Sequence, residues 1–124
     1  MAMMEQTRVL VCGSRTWQEA LAIWTVLDGL NERPGEVVLI HGDAKGADTV
    51  AAEWAMVRDA SVESYPADWD RHGKRAGYVR NQQMLAEGKP DMVWAFRSTG
   101  ESKGTDMMID LARKAGITTY VVTG

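Results

Sequence analysis

Residues 41–55 read HGDAKGADTVAAEWA. Two glycines and two aspartates, with Lys45 between them, follow a run of apolar β-formers (Val37, Val38, Leu39, Ile40) and precede a helical stretch. Glycines let backbone N–H groups come close to a ligand, and a helix N-terminus carries about half a positive charge, so such a turn suits an anion, phosphate above all. Gly42, Asp43, Lys45, Gly46, Ala47 and Asp48 make one such mouth, and Gly104-Thr105, ahead of a second helical pattern, makes another. Arg15, Lys74, Arg75 and Arg80 can add formal positive charge. GDAKGAD is not a Walker loop, because no Gly-Lys-Ser/Thr follows at the required spacing, and the earlier turn GSRTWQ is not GxGxxG. The same glycines also serve as makers of tight βα turns, and both readings stand at this point. Asp48 reads first as the N-cap of its helix and second as a ligand for ribose.

Gly77, Asn81, Met84, Leu85 and Gly88 recur on one helical face. Asn81 therefore shares an inward stripe with apolar residues and needs partners, either backbone carbonyls or a ligand. Arg80 is turned about 100° from it, toward a cleft edge or solvent. Trp69, between Asp68 and Asp70, lies in a polar loop where its ring can stack on a base or lid the core. Cys12 reads as a buried strand residue with no histidine placed to activate it, and His41 and His72 are too isolated to form a metal site. No metal and no cofactor is expected.

The elements that must position these residues alternate from end to end. Strands are expected over 8–12, 37–41, 62–65, 92–96 and 118–122, each short and apolar on consecutive positions as in strands covered on both faces. A helical stripe of Ile23, Val26, Leu27 and Leu30 lies between the first two, with Thr16 and Glu19 placed as a capping box. Further helices begin near Asp48, run from about Ala76 to Glu87, and carry Met108, Leu111, Ala112 and Ala115 before Gly116. This alternation predicts βαβ units: an α/β, Rossmann-like, three-layer doubly wound parallel sheet of about five strands and four helices, forming one domain over 1–124. In such sheets ligands bind beyond the carboxyl ends of the strands, where most of the glycines here fall.

A chain of 124 residues with net charge −3 has no global field to recruit nucleic acid or anionic lipid, so any anion site must be local. A single cysteine forbids an intramolecular disulfide and suits a reducing cytoplasm. No apolar run approaches the ~20 residues of a membrane span, and MAMMEQTR is not expected to act as a signal peptide. Trp24, Trp54 and Trp94 suit a core or a subunit interface, and a homo-oligomer is expected.

GSR after the first strand, GDAKGAD after the second, ADWDRHGKRAGYVRN after the third and KGTD after the fourth together resemble the SLOG superfamily. This Rossmann-like group joins DNA-processing protein A with the "Lonely guy" cytokinin-activating enzymes. The similarity is greatest to its small YspA-like branch of bacterial and phage proteins and covers the chain from Arg8 to Val122. It implies a pocket for nucleotides or their derivatives. Gly13, Ser14 and Arg15 would line one side, Gly42, Gly46, Ala47 and Asp48 the floor, and Asp68, Trp69, Lys74, Arg80 and Asn81 would close it, with Gly104 and Thr105 on phosphate. The phosphoribohydrolase members carry PGGxGTxxE, whose glutamate assists N-glycosidic cleavage. Here the stretch is STGESKGTDMM, so Met108 stands at the glutamate position and cannot move a proton. Glu101, Asp106 and Asp43 are the carboxylates that could substitute.

The expected function is binding of a small nucleotide-derived ligand, ADP-ribose-like or a cyclic nucleotide signal, as a sensor or sponge without a recognisable catalytic acid. The alternatives are a nucleotide N-glycosidase with a displaced carboxylate and, against the acidic net charge, a single-stranded DNA-binding protein.

Overall fold

The computed structural model describes residues 5–124. Five parallel strands, β1 (Thr7–Gly13), β2 (Val37–His41), β3 (Ser61–Ser64), β4 (Met92–Arg97) and β5 (Thr118–Thr123), pair in the order β3-β2-β1-β4-β5. Four long helices connect them: α1 (Ala20–Leu30), α2 (Ala47–Arg58), α4 (Ala76–Gly88) and α5 (Lys103–Lys114). A one-turn helix α3 (Trp69–His72) and a 3₁₀ turn over Gly73–Arg75 precede α4, two elements that the polar composition of that segment hid. The doubly wound α/β fold is thus as the alternation of elements predicted.

Alternation of side chains across the pleat divides the core in two. Val9, Val11, Val37, Leu39 and Phe96 face one way and pack against Ile23 and Leu27 of α1 and Ala51, Trp54 and Ala55 of α2. Leu10, Cys12, Ile40, Val93 and Ala95 face the other way, against Met84 of α4 and Met108, Ile109 and Ala112 of α5. Burial on both faces explains why β1, β2 and β4 are continuous apolar runs. β3 and β5 are edge strands with mostly exposed side chains, so coverage on both faces fails there. Tyr65 lies just past β3, although its N–H still donates to the His41 carbonyl at 2.9 Å.

The capping box expected at Thr16 and Glu19 does not form. Trp17 N–H donates to the Ser14 carbonyl at 3.2 Å, closing a turn around Thr16, and Glu19 itself occupies the N-cap without a side-chain bond. Gly88 is the last residue of α4 and not its stop: a side chain there would press on Ile40, and the left-handed residue is Lys89, at φ 46°. Trp54 is fully buried and donates its indole N–H to Asp28. Trp24 lies under the Arg58 guanidinium and Trp94 stacks on Tyr120 at 4.4 Å between centroids. Among the described residues no helix is long and apolar enough to cross a membrane.

β1 and β4 are neighbours, yet the chain leaves them toward opposite edges of the sheet. The loops beyond their carboxyl ends therefore part, and a crevice opens between them.

Candidate functional site

That crevice is a cleft of about 620 Å³. Its walls come from the β1 end (Cys12, Gly13, Ser14, Arg15, Thr16), the first turns of α2 and α5, and the α3–α4 segment. A depression of about 530 Å³ at the opposite edge of the sheet is lined by Glu5, Gln6, Thr7 and Asp91, and its two carboxylates, with no cation among them, disfavour an anion.

Of the residues singled out in the sequence, Gly13, Ser14, Arg15, Asp48, Trp69, Lys74, Arg80, Asn81, Gly104 and Thr105 line the cleft together. Gly42, Asp43, Lys45, Gly46, Ala47 and Asp68 lie outside its lining. The first five of these belong to the GDAKGAD turn, and the hydrogen bonds show why. Asp48 is not the N-cap of α2: Gly46 holds that position, and the helix begins at Ala47. The Asp48 Oδ2 instead accepts the N–H groups of Gly42 at 2.9 Å and Ala44 at 3.2 Å. Ala47 N–H donates to the Ser14 carbonyl at 3.4 Å. The Gly42, Ala44 and Ala47 amides are thus occupied by the protein itself. Gly42 gives its carbonyl to Arg80, whose guanidinium occupies the place where any side chain on that glycine would stand. Gly46, at φ +85°, lets the Ser14–Arg15 backbone pack onto it, and an added Cβ would come within 2.7 Å of the Arg15 Cα. Asp68 is spent as the N-cap of α3, accepting from Arg71 N–H at 3.1 Å.

The KGTD turn is built the other way. Ser102 is the N-cap of α5 but makes no side-chain cap bond, which leaves the first-turn N–H groups of this helix without a side-chain acceptor. An added Cβ at Gly104 would meet only open space. The hydroxyls beside it form a chain: Ser98 N–H donates to Ser14 Oγ at 3.0 Å, Ser14 Oγ to Ser102 Oγ at 3.0 Å, and Ser102 Oγ to Thr105 Oγ1 at 2.9 Å. Arg15 and Lys103 are both exposed at this end of the cleft. Helix dipole, amides, hydroxyls and Arg15 converge where a phosphate would sit, with Lys103 beside it and 3.4 Å from the Glu101 carboxylate.

Asn81, only 4 % exposed, finds its partners within the protein. Its Oδ1 accepts from Arg80 Nε at 2.9 Å and its Nδ2 donates to the Gly104 carbonyl at 3.3 Å, tying α4 to the start of α5. Trp69 is half exposed and leans toward Gly77, one wall of the cleft. Burial pushes the Asp48 carboxyl up to about 6, against the opposing pull of its two backbone N–H partners and of Arg80. Burial raises the Cys12 thiol well above its ordinary range, helped by the Asp48 charge, which leaves it protonated and unreactive. His41 is pushed down by burial, and its Nδ1 accepts from Asp43 N–H at 2.9 Å. Of the carboxylates considered as a displaced acid, Glu101 lines the cleft and the other two do not. Asp106 pairs with Arg97 at 2.6 Å, exposed Glu101 is 3.4 Å from Lys103, and Asp43 is outside the cleft. Met108 is fully buried, as its place on the helical stripe requires.

Sequence reasoning missed Ser102, Lys103, Tyr78 and Met107 as lining residues. Ser102 and Lys103 precede the Gly104-Thr105 pair and could have been found by reading that turn two residues further upstream. The Ser14–Ser102 contact spans 88 positions and leaves no local signal.

Residues 7–72 match the family described as YAcAr, the YspA, cpYpsA-related SLOG family. The chain is 40 % identical over 116 residues to the Gene 61 protein of Mycobacterium phage D29, covering 89 % of this chain and 91 % of that one. Its fold is similar to that of DNA processing protein A from Streptococcus pneumoniae, with a TM-score of 0.76 at 19 % identity over 96 % of this chain. DNA processing protein A from Helicobacter pylori, described for its single-stranded DNA binding mode, superimposes with a TM-score of 0.68 at 18 % identity over 94 % of this chain. The chain spans about half the length of the first of these structures and 65 % of the second.

Proposed function

Because the chain belongs to the YspA, cpYpsA-related SLOG family, we propose that its cleft binds a small nucleotide-derived ligand, ADP-ribose-like or a cyclic nucleotide, as a sensor or sponge. The observation that carries this reading is the open first turn of α5, where uncapped amides, the Ser14–Ser102–Thr105 hydroxyls and the Arg15 and Lys103 cations face a cleft of nucleotide size. Trp69 supplies an aromatic surface on the far wall. Isothermal titration against AMP, GMP, ADP-ribose and cyclic nucleotides tests it. Saturable heat with at least one of them is expected, and silence across the panel contradicts the reading.

The likeness in fold to the Helicobacter protein favours a second reading, single-stranded DNA binding. The cations Arg15, Lys74, Arg80 and Lys103 would then meet a strand backbone, within a chain of net charge −3. A gel shift with an oligothymidylate at low salt separates the two, since retardation without nucleotide binding favours DNA. The N-glycosidase alternative has buried Asp48 and exposed Glu101 as the carboxylates lining the cleft, and release of free base from nucleoside monophosphates tests it. Self-association, expected from the tryptophans, is tested by sedimentation velocity, where a monomer contradicts it.

A further inference from the structure

Two side chains on the β2 side of the cleft are each half used. Asp48 is 5 % exposed, and both of its hydrogen bonds fall on Oδ2. Every fully enclosed side-chain nitrogen and oxygen among the described residues has a partner. Oδ1 of Asp48 has none, so it touches open space, and the open space beside Asp48 is the cleft. Arg80 gives Nε to Asn81 and Nη1 to the Gly42 carbonyl, and its Nη2 donates to no described residue. Both side chains grip the same residue, Gly42, one at its N–H and the other at its carbonyl, so they are fixed as neighbours. They are nevertheless not an ion pair within 4.0 Å among the described residues. One rigid acceptor and one rigid donor are thus presented side by side in a half-dry cleft.

A guanine edge would engage a carboxylate through both of its oxygens, and here one is taken. A hydroxyl both donates and accepts, so two adjacent hydroxyls match a single acceptor beside a single donor. We infer that Asp48 and Arg80 form a seat for the cis-diol of a ribose, the 2′-hydroxyl donating to Asp48 Oδ1 and the 3′-hydroxyl accepting from Arg80 Nη2. The inference rests on the nucleotide reading above and deepens it: the ligand carries phosphate toward α5, beyond β4, and an unmodified 2′,3′-diol toward α2, beyond β2. The cleft then selects ribonucleotides against their deoxy forms.

The test is calorimetric titration of the wild-type protein with AMP and GMP and with 2′-deoxy-AMP and 2′-deoxy-GMP. A hydrogen bond to a charged group corresponds to about ten- to hundred-fold in affinity, and that is the expected loss on removing the 2′-hydroxyl. In Asp48→Asn the ribo and deoxy forms are expected to bind alike, with the ribo form weakened toward the deoxy. Equal binding of both forms by the wild type overturns the diol seat and leaves the nucleotide reading standing. A ribo preference that survives in Asp48→Asn also overturns it. If none of the four binds, the diol seat falls, and the nucleotide reading is decided by ADP-ribose and the cyclic nucleotides of the wider panel. Should Asp48→Asn not fold, the wild-type ratio decides alone.

Discussion

The two glycine turns at the carboxyl edge share composition and differ in what holds their amides. In GDAKGAD, Asp48 and the Ser14 carbonyl take up the N–H groups, Arg80 takes the Gly42 carbonyl, and the turn is closed on itself. Neither α2 nor α5 has a side-chain cap bond, but in SKGTD no carboxylate reaches back to the loop amides and the space beside Gly104 is open. Glycine in the first turn serves packing: it admits a guanidinium at Gly42 and a neighbouring loop at Gly46. Glycine in the second leaves room for something outside the chain. An anion site is therefore recognised not by its glycines but by whether the protein has already satisfied the amides around them.

Substitutions at the two turns should separate these roles. Gly46→Ala faces both the strain of φ +85° and the Ser14–Arg15 backbone, and a loss of about 3 kcal/mol or more is expected in urea unfolding. A loss under about 1 kcal/mol would mean that the β1 loop yields readily, and the closed turn with it.

Asp48 comes next, and its effect depends on pH. Its carboxyl is raised from the ordinary range to about 6, so the folded state holds the proton more tightly than the unfolded one. The stability this confers is fully present below the unfolded value near 3.8 and is lost as pH rises through about 6, at most about 3 kcal/mol. Asp48→Asn does not titrate and can still accept from Gly42 and Ala44. It is expected to unfold at higher urea than the wild type at pH 7.5, by about 1–3 kcal/mol, with the gap closing at pH 4. A variant less stable at both values would show that the carboxylate charge itself holds the turn. Retention of an ionised aspartate at that cost is what a ligand contact would explain.

Asn81→Ala removes the bridge from α4 to the Gly104 carbonyl and frees Arg80 Nε. A loss of about 1–2 kcal/mol is expected, together with weaker nucleotide binding, because the open turn loses its anchor. The smallest effect belongs to Gly104→Ala. Its Cβ meets nothing, and alanine favours a helix over glycine by about 1 kcal/mol, so stability should rise slightly in urea unfolding. Any stability loss there would mean that the second turn is closed as well.

Much of the fold could be read from the residues because burial writes itself into composition. β1, β2 and β4 are covered on both faces and show as unbroken apolar runs, and Met108 and Ala112 recur at helical spacing on the buried stripe of α5. The edge strand β3, with the sequence SVES, and the one-turn α3 lack such coverage and such a signal. Within the cleft, Asn81 was legible as a polar residue on an apolar stripe. The closure of GDAKGAD was not, because it is decided by Arg80, 38 positions from Gly42, and by a carboxylate that passes over the helix cap to reach back six residues. The Ser14–Ser102 link that shapes the open turn is likewise a product of β1 and β4 lying side by side.

Titrating AMP into isotopically labelled protein and following the backbone amides tests the contrast between the turns most directly. The largest shifts are expected at Lys103, Gly104 and Thr105 and at the Ser14 loop, with Asp43, Lys45 and Gly46 nearly still. Shifts concentrated at 42–47, with the α5 amides unmoved, would contradict the account.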